Sequence, residues 1–390
     1  MINPFNPRYP IDPEFFANRK KEIERFERDL KRTLDSKLPE NVAILGDWGI
    51  GKSSLAYRFA HISANKEGAR ILSTGLSIPR TIRSMDEFCF LLLNKLNQDI
   101  ASSENITNKL RNEIKKWRMK TLGIGPFEME RREEEIPKIP FALLQTHLIE
   151  LWKDYLSKES VDAVAIIIDD IHHLVNAVKG GILDLRSIFQ EMPRYKCCYL
   201  LIITGSKTLF GDVRDLAEPM VRFFGTYEIE NLDLNETREL ITFPLKKAGS
   251  EVRVTEDVIK AIYERTKGHP YFIAFFMQIL LERCKNNIID LSLYNAILPI
   301  LSRGLEIQKF EKDLRTASEM ERELLFRTSK FKEDEFSFSD ISSPKRKSMI
   351  AGLLDRLVEK NLIIKIGRGK YKLYHPLFKE YIKTKTVNRT

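Results

Sequence analysis

Apolar positions change their spacing twice along the chain and divide it into three stretches. Up to about residue 230, short runs rich in β-branched residues alternate with segments of helical period, which predicts a parallel α/β sheet flanked by helices. The runs begin at Val42, at Arg70 to Leu76, at Val161 to Asp169, at Cys197 to Thr204 and at Thr226 to Ile229. Helical spacing fills Asn18 to Leu34, Ser84 to Gln98 and Phe141 to Ser157, after an opening that Pro4, Pro7, Pro10 and Pro13 keep extended. Residues 101–140 are polar and highly charged, so this stretch reads as a surface insertion between weakly helical pieces.

After about Asn231 the strand signal stops. Leu234 to Ala248, Thr255 to Thr266, Pro270 to Cys284 and Ser292 to Arg303 read as helices, with Asn235 and Thr255 as caps and Gly249 and Gly268 as terminators. From Ser318 the order becomes helix, a short Phe336 to Phe338 segment, and a second helix opened by Ser343 and Pro344. Two β-rich runs, Leu362 to Ile366 and Lys370 to Tyr374, then turn at Gly367-Arg-Gly369 before a last helix. Helix, helix, hairpin predicts a winged helix-turn-helix. The expected domains are a core over 1–230, a helical lid over 231–312 and a winged helix over 313–390.

At 390 residues the chain exceeds one compact core and is expected to hold two or three domains. It has no apolar run long enough for a membrane span, and its start lacks the order of a signal peptide, so a cytoplasmic protein is expected. Cys89, Cys197, Cys198 and Cys284 are scattered without metal-ligand spacing, and His172 and His173 have no Cys or His group beside them; reduced thiols and no structural metal follow. The net charge of +9 is uneven. Thirteen Lys and Arg face three acids between residues 341 and 390, a net of +10, which leaves about −1 for residues 1–340. Such asymmetry points to a polyanionic partner.

The chemistry begins where the first strand runs into Gly46-Asp47-Trp48-Gly49-Ile50-Gly51-Lys52-Ser53, followed by Ser54 and a helix. Glycines at 46, 49 and 51 let backbone N–H groups turn toward an anion, and the positive end of the helix dipole adds to the same point. In this P-loop pattern Lys52 reaches the β and γ phosphates and the Ser53 hydroxyl holds Mg²⁺. The run Val161 to Asp170 ends in two carboxylates, as a buried parallel strand delivering acids to its carboxyl end reads; Asp169 then serves Mg²⁺ and Asp170 the attacking water. No Asn-Lys-x-Asp guanine signature is present, so ATP is the expected nucleotide.

Together these pieces resemble the archaeal ATPase group within the STAND and AAA+ branch of P-loop ATPases, over nearly the whole chain. Asn3-Pro-Phe, Arg8-Tyr-Pro and Phe16-Ala-Asn-Arg19-Lys-Lys-Glu22 are similar to the N-terminal motif that such ATPases place near the adenine, with Asn18 where Gly is common. The resemblance implies that Pro270, in Gly268-His-Pro, approaches the base, although the same residues read equally as a helix stop and start. It also implies that Thr204 and Ser206 sense the γ phosphate, with Lys207 near a position where relatives carry Arg. Arg222 is the implied arginine finger toward a neighbouring subunit, with Arg214 as competitor and a plain surface arginine as the alternative. Asp rather than Glu at 170 implies slow hydrolysis, as in a switch.

Two readings of the tail stay open. In the first, Lys345, Arg346 and Lys347 on the recognition helix and Lys365, Arg368, Lys370 and Lys372 in the wing contact double-stranded DNA. In the second, the tail of a signalling STAND-type ATPase mediates protein interaction or autoinhibition without DNA. The partners implied are ATP and ADP, duplex DNA and further copies of the chain, with no membrane.

Overall fold

The computed structural model describes residues 3–103, 106–122, 136–207, 209, 214–342 and 347–387. Two compact units divide the chain: one runs from Arg8 to Asn231, and the other joins residues up to Pro7 to those from Leu232 onward. The opening residues, read from sequence with the ATPase core, therefore belong with the C-terminal unit, where Phe5 is buried among residues of that unit's core.

The first unit follows the expected alternation. Its elements are α1 (Lys20–Ser36), β1 (Val42–Leu45), α2 (Lys52–Ala64), β2 (Ile71–Ser77), α3 (Met85–Ser102), α4 (Asn108–Leu122) and α5 (Leu144–Glu150). They continue with β3 (Ala163–Asp169), α6 (His172–Ala177), α7 (Gly181–Glu191), β4 (Tyr199–Gly205), α8 (Arg214–Phe223) and β5 (Gly225–Glu228). The strands form one parallel sheet in the order β2-β3-β4-β1-β5. Every residue of β1, β3 and β4 is buried, which is why these runs are apolar throughout rather than alternating. Against this sheet α2 and α1 pack through Phe59 and Phe26, whose rings stack at 4.1 Å.

The stretch read as a surface insertion is more than a solvated face. Leu110, Ile114 and Trp117 fall on one side of α4 at spacings near the helical period and are buried, as is Ile106 just before it. Asn97 of α3 donates to the Ile114 carbonyl at 2.8 Å. Abundant charge on the outer side of α4 hides this apolar stripe from a composition-based reading. Residues 123–135, with the charged run from Glu130 to Glu135, lie outside the described residues.

The second unit opens with α9 (Leu234–Lys247), β6 (Arg253–Val254), α10 (Glu256–Thr266), α11 (Pro270–Arg283), β7 (Ile288–Ile289), α12 (Leu291–Leu305) and α13 (Glu311–Thr316). Asp233, not Asn235, caps α9: its side chain accepts from the Glu236 N–H while Glu236 accepts from the Asp233 N–H. Asn235 instead accepts from the Arg238 guanidinium. There follow α14 (Glu319–Ser329), β8 (Glu335–Ser337), α15 (Phe338–Ile341), α16 (Lys347–Glu359), β9 (Ile363–Gly367), β10 (Lys370–Leu373) and α17 (Pro376–Val387). β10 pairs antiparallel with both β9 and β8. Ser343 and Pro344, read as the start of the second helix, lie outside the described residues.

Residues 232–312 and 313–387, read as two domains, share one hydrophobic core. Phe310 meets Phe378 and Tyr381 at ring separations of 5.6 and 5.5 Å, and Phe272 meets His375 at 4.1 Å. Arg265 on α10 also pairs with Glu380 on α17. Within the later part, buried Glu321 receives Arg356 from α16 and Lys360 just after it, and against the opposing effect of burial these partners hold its carboxyl at about 2. Among the described residues no helix is long and apolar enough to cross a membrane.

Candidate functional site

The loop between β1 and α2 is built around three glycines. A side chain at Gly46 would meet Ile50 at 2.8 Å and the Ile229 carbonyl at 3.0 Å, and the Gly46 N–H already donates to the Gly205 carbonyl. Gly49 and Gly51 take left-handed backbone with φ of 71° and 97°, a region glycine enters freely. Ile50 is buried and anchors the loop, whereas Trp48 is partly exposed. Lys52 begins α2, and its Nζ donates to the carbonyls of Gly46 at 3.0 Å and Asp47 at 2.8 Å. Burial lowers its pKa, opposed by the charges of Asp170, Asp47 and Asp169. Ser54 has a different connection: its hydroxyl accepts from the Ile11 N–H at 3.2 Å and ties α2 to the N-terminal segment.

Sheet order brings the other half of the site together. β4 lies between β1 and β3, so Thr204 sits opposite Ile44 on one side and beside the acid-bearing strand on the other. Asp169 is buried, and one of its oxygens accepts from both Ser53 Oγ, at 2.9 Å, and Thr204 Oγ1. Burial raises its pKa; the hydrogen bonds from Thr204 and Ser53 pull the other way, with Lys52 helping. Asp170 follows with φ of 56°, and its N–H donates to Thr204 Oγ1 at 3.0 Å. One P-loop hydroxyl, one acid pair and one neighbouring-strand hydroxyl thus meet at the carboxyl edge of the sheet, where ligands of open α/β folds bind.

The N-terminal motif reaches the same loop. Asn18 and Arg19 are both buried with positive φ, 71° and 58°, which gives a physical reason for glycine at the first of these positions: the backbone there is left-handed, and Asn is among the side chains that tolerate it. The Arg19 guanidinium donates to the Ile50 carbonyl at 3.4 Å and the Glu230 carbonyl at 2.5 Å, linking the P-loop to the segment after β5. Sequence reading placed Arg19 in the motif but not on the loop. Lys207 pairs with Asp47 and with Glu230.

Other sequence candidates lie elsewhere. Arg222 is in the last turn of α8, just before β5, at the amino edge of the sheet, while the P-loop is at the carboxyl edge. The strand between spans about 13 Å. Its exposed side chain pairs with Glu218 on the same helix, so within one subunit it takes no part in the site. Arg214 is the first residue of α8. Pro270 opens α11 in the other unit, after Gly268 with φ of 70°; a side chain on Gly268 would overlap the Leu232 carbonyl, so packing alone requires glycine there. Of the candidate DNA contacts, Lys347, Lys365, Arg368 and Lys370 are exposed and Lys372 is half-buried. Lys345 and Arg346 lie outside the described residues.

A family model for an ATPase domain predominantly from Archaea matches residues 16–276. The chain belongs to this archaeal ATPase family. It is a nucleotide-binding P-loop ATPase, and the matched range runs from the N-terminal motif through both acids into α11. Two solved structures share the fold of this archaeal ATPase. A Walker-type ATPase of Pyrococcus abyssi is 16% identical, with 94% of this chain and 96% of that one covered and a TM-score of 0.55. The ORC2 protein of Aeropyrum pernix, solved as ADPNP and ADP complexes, is 12% identical, with coverage of 96% and 98% and a TM-score of 0.58. No curated protein matches the chain significantly by sequence.

Proposed function

We propose that the chain binds ATP with Mg²⁺ on the P-loop, hydrolyses it slowly, and uses its nucleotide state to govern a DNA-binding C-terminal segment. The observation that carries the nucleotide half is the convergence of the Ser53 and Thr204 hydroxyls on one oxygen of Asp169. A hydroxyl and a carboxylate 2.9 Å apart are the hard oxygen donors that Mg²⁺ takes, so Ser53 and Asp169 fit the ion, which when bound neutralises phosphate charge. Lys52 exchanges the Gly46 and Asp47 carbonyls for phosphate oxygens, a stronger partner for a desolvated ammonium. The loop N–H groups and the start of α2 bind and orient the phosphates.

Asp170 orients the attacking water, and Thr204 links the position of β4 to both acids. The short Asp170 side chain suits a slow switch. Arg222, exposed at the far edge of the sheet, can reach a γ phosphate only in another subunit, which makes hydrolysis assembly-linked in this reading. For the C-terminal segment, α14, α15, α16 and the β9–β10 hairpin give the succession of a winged helix, and Lys365, Arg368 and Lys370 cluster on the hairpin in the region that carries the whole charge excess. The reading with protein interaction or autoinhibition in place of DNA has its own support: the single core shared by residues 232–387 couples this segment to the helices before it.

Lys52→Ala and Asp170→Asn together test the nucleotide reading. Lys52→Ala is expected to lose ATP binding in equilibrium dialysis, while Asp170→Asn keeps Mg-ATP but loses most phosphate release. Unchanged ATP affinity in a folded Lys52→Ala protein, or wild-type turnover in Asp170→Asn, removes the corresponding role.

A further inference from the structure

The histidine pair after Asp170 has no part in the site as assembled so far. With Asp170 in left-handed backbone the chain reverses, the His173 N–H donates to the Asp170 carbonyl at 3.0 Å, and His172 turns back toward the acid. His172 Nδ1 comes to rest 3.9 Å from Asp170 Oδ1. That nitrogen is buried and has no hydrogen-bond partner among the described residues. The Asp170 carboxylate it faces is partly exposed. A buried nitrogen without a partner thus faces a carboxylate at about 1 Å more than a hydrogen bond needs. A buried polar atom without a partner is uncommon enough to ask for a cause.

The ring is neutral near pH 7: burial lowers its pKa to about 4, and His173, Lys52 and Arg80 act in the same direction. A neutral imidazole carries one N–H and one acceptor nitrogen. His172 opens α6 two residues after Asp170, which keeps the ring next to the acid pair.

We infer that His172 is a positioning residue for Asp170: on ATP binding its Nδ1–H closes onto Asp170 Oδ1 and holds the other carboxylate oxygen toward the attacking water. His172 neither gives nor takes a proton in this role. The inference rests on the proposed hydrolysis. A short aspartate with free torsions is a poor aim for a water on the γ phosphate, and a fixed donor on the next turn removes that freedom, where misplacement by an ångström costs rate steeply.

The test uses the full chain with saturating Mg-ATP, measuring phosphate release and ATP affinity for wild type, His172→Ala, His172→Asn, Asp170→Asn and Asp170→Asn/His172→Ala. His172→Ala is expected to slow turnover by about ten- to a hundred-fold with ATP affinity held. His172→Asn, whose amide nitrogen occupies nearly the place of Nδ1, should recover most of that loss. In the Asp170→Asn background His172→Ala should change nothing further, because the acid it aims is gone. Wild-type turnover in His172→Ala, failure of Asn to rescue, or an equal loss in both backgrounds overturns the positioning role alone. Absence of turnover in the wild type itself would instead overturn hydrolysis, and the positioning role with it.

Discussion

The hydroxyl of Thr204 accepts a hydrogen bond from the backbone N–H of Asp170 at 3.0 Å. Its own proton goes to Asp169, so one hydroxyl on β4 ties together the two acids at the end of β3. Any shift of β4 against β3 therefore changes both the acid read as the Mg²⁺ ligand and the acid read as the water's partner.

Thr204→Val keeps the shape and removes this link. Phosphate release at saturating Mg-ATP is expected to fall at least about tenfold, and the chain to lose about 1–3 kcal/mol, since a partly buried N–H and a buried carboxylate each lose a partner. Urea unfolding beside a turnover assay checks both. A variant indistinguishable from wild type in both measurements would detach Thr204 from the site.

Gly268→Ala should destabilise the C-terminal unit whatever its effect on nucleotide. The added Cβ would lie 1.8 Å from the Leu232 carbonyl oxygen at a residue with φ of 70°, so strain and overpacking combine to about 2–4 kcal/mol. A drop in melting temperature that ATP does not abolish is the expected signature. Unchanged melting would show that Leu232 yields easily.

Stability should also fall with pH through His375. Its Nδ1 accepts from the Leu377 N–H at 3.1 Å, which leaves Nε2 to donate to the Thr266 carbonyl at 2.9 Å, and the ring is buried. Burial lowers its pKa to about 4, below the unfolded value near 6.5. The unfolded chain therefore binds the extra proton first, so stability is level above pH 6.5 and declines as pH falls from there toward 4. His172 adds the same sign. Glu321, held down at about 2, loses its contribution only as pH falls from about 4.5 toward 2 and leaves the upper window to the histidines. Unfolding of the full chain between pH 6.5 and 5 should show a slope that His375→Gln reduces by up to about 1.4 kcal/mol per pH unit. An unchanged slope would mean that His375 accepts its proton without cost.

Salt dependence separates the two readings of the C-terminal segment. With roughly four to six phosphate contacts, log affinity for arbitrary duplex DNA should fall with log salt at a slope of about −4 to −5. Substituting Lys365, Arg368 and Lys370 together by Ala should flatten it by about two to three units. Fluorescence anisotropy of the full chain across a salt series measures this. Absence of DNA binding at low salt would favour a protein-facing role for the same cations.

Much of the fold was readable because it is local. The P-loop is contiguous, its glycines and lysine having fixed offsets, and the apolar run ending at Asp169 announces a buried parallel strand with acids at its end. The strands of the five-stranded sheet and the longer helices of both units are legible from period, whereas β6 and β7, of two residues each, are too short to leave a signal where the sequence reading found no further strand. The reading weakened where an outer face is charged, as on α4, where the three buried residues Leu110, Ile114 and Trp117 are outnumbered by exposed ones among the described residues. At α9 the cap moved from Asn235 to Asp233, because only the actual first turn decides which side chain faces the free N–H groups.

By itself, then, the sequence marked the P-loop and the acid pair as candidates for phosphate and metal chemistry, and it showed strands alternating with helices before a mainly helical and then a mixed segment. Tertiary structure alone decided what depends on partners distant in the chain: β4 between β1 and β3, which places Thr204 on both acids; Arg19 on the loop at Ile50; Arg222 at the opposite edge; one core through residues 232–387; and His172 beside Asp170. The reason is physical. Residue type and period govern backbone geometry within an element, whereas hydrogen bonds between strands and the burial of a side chain are properties of neighbours that local spacing does not name.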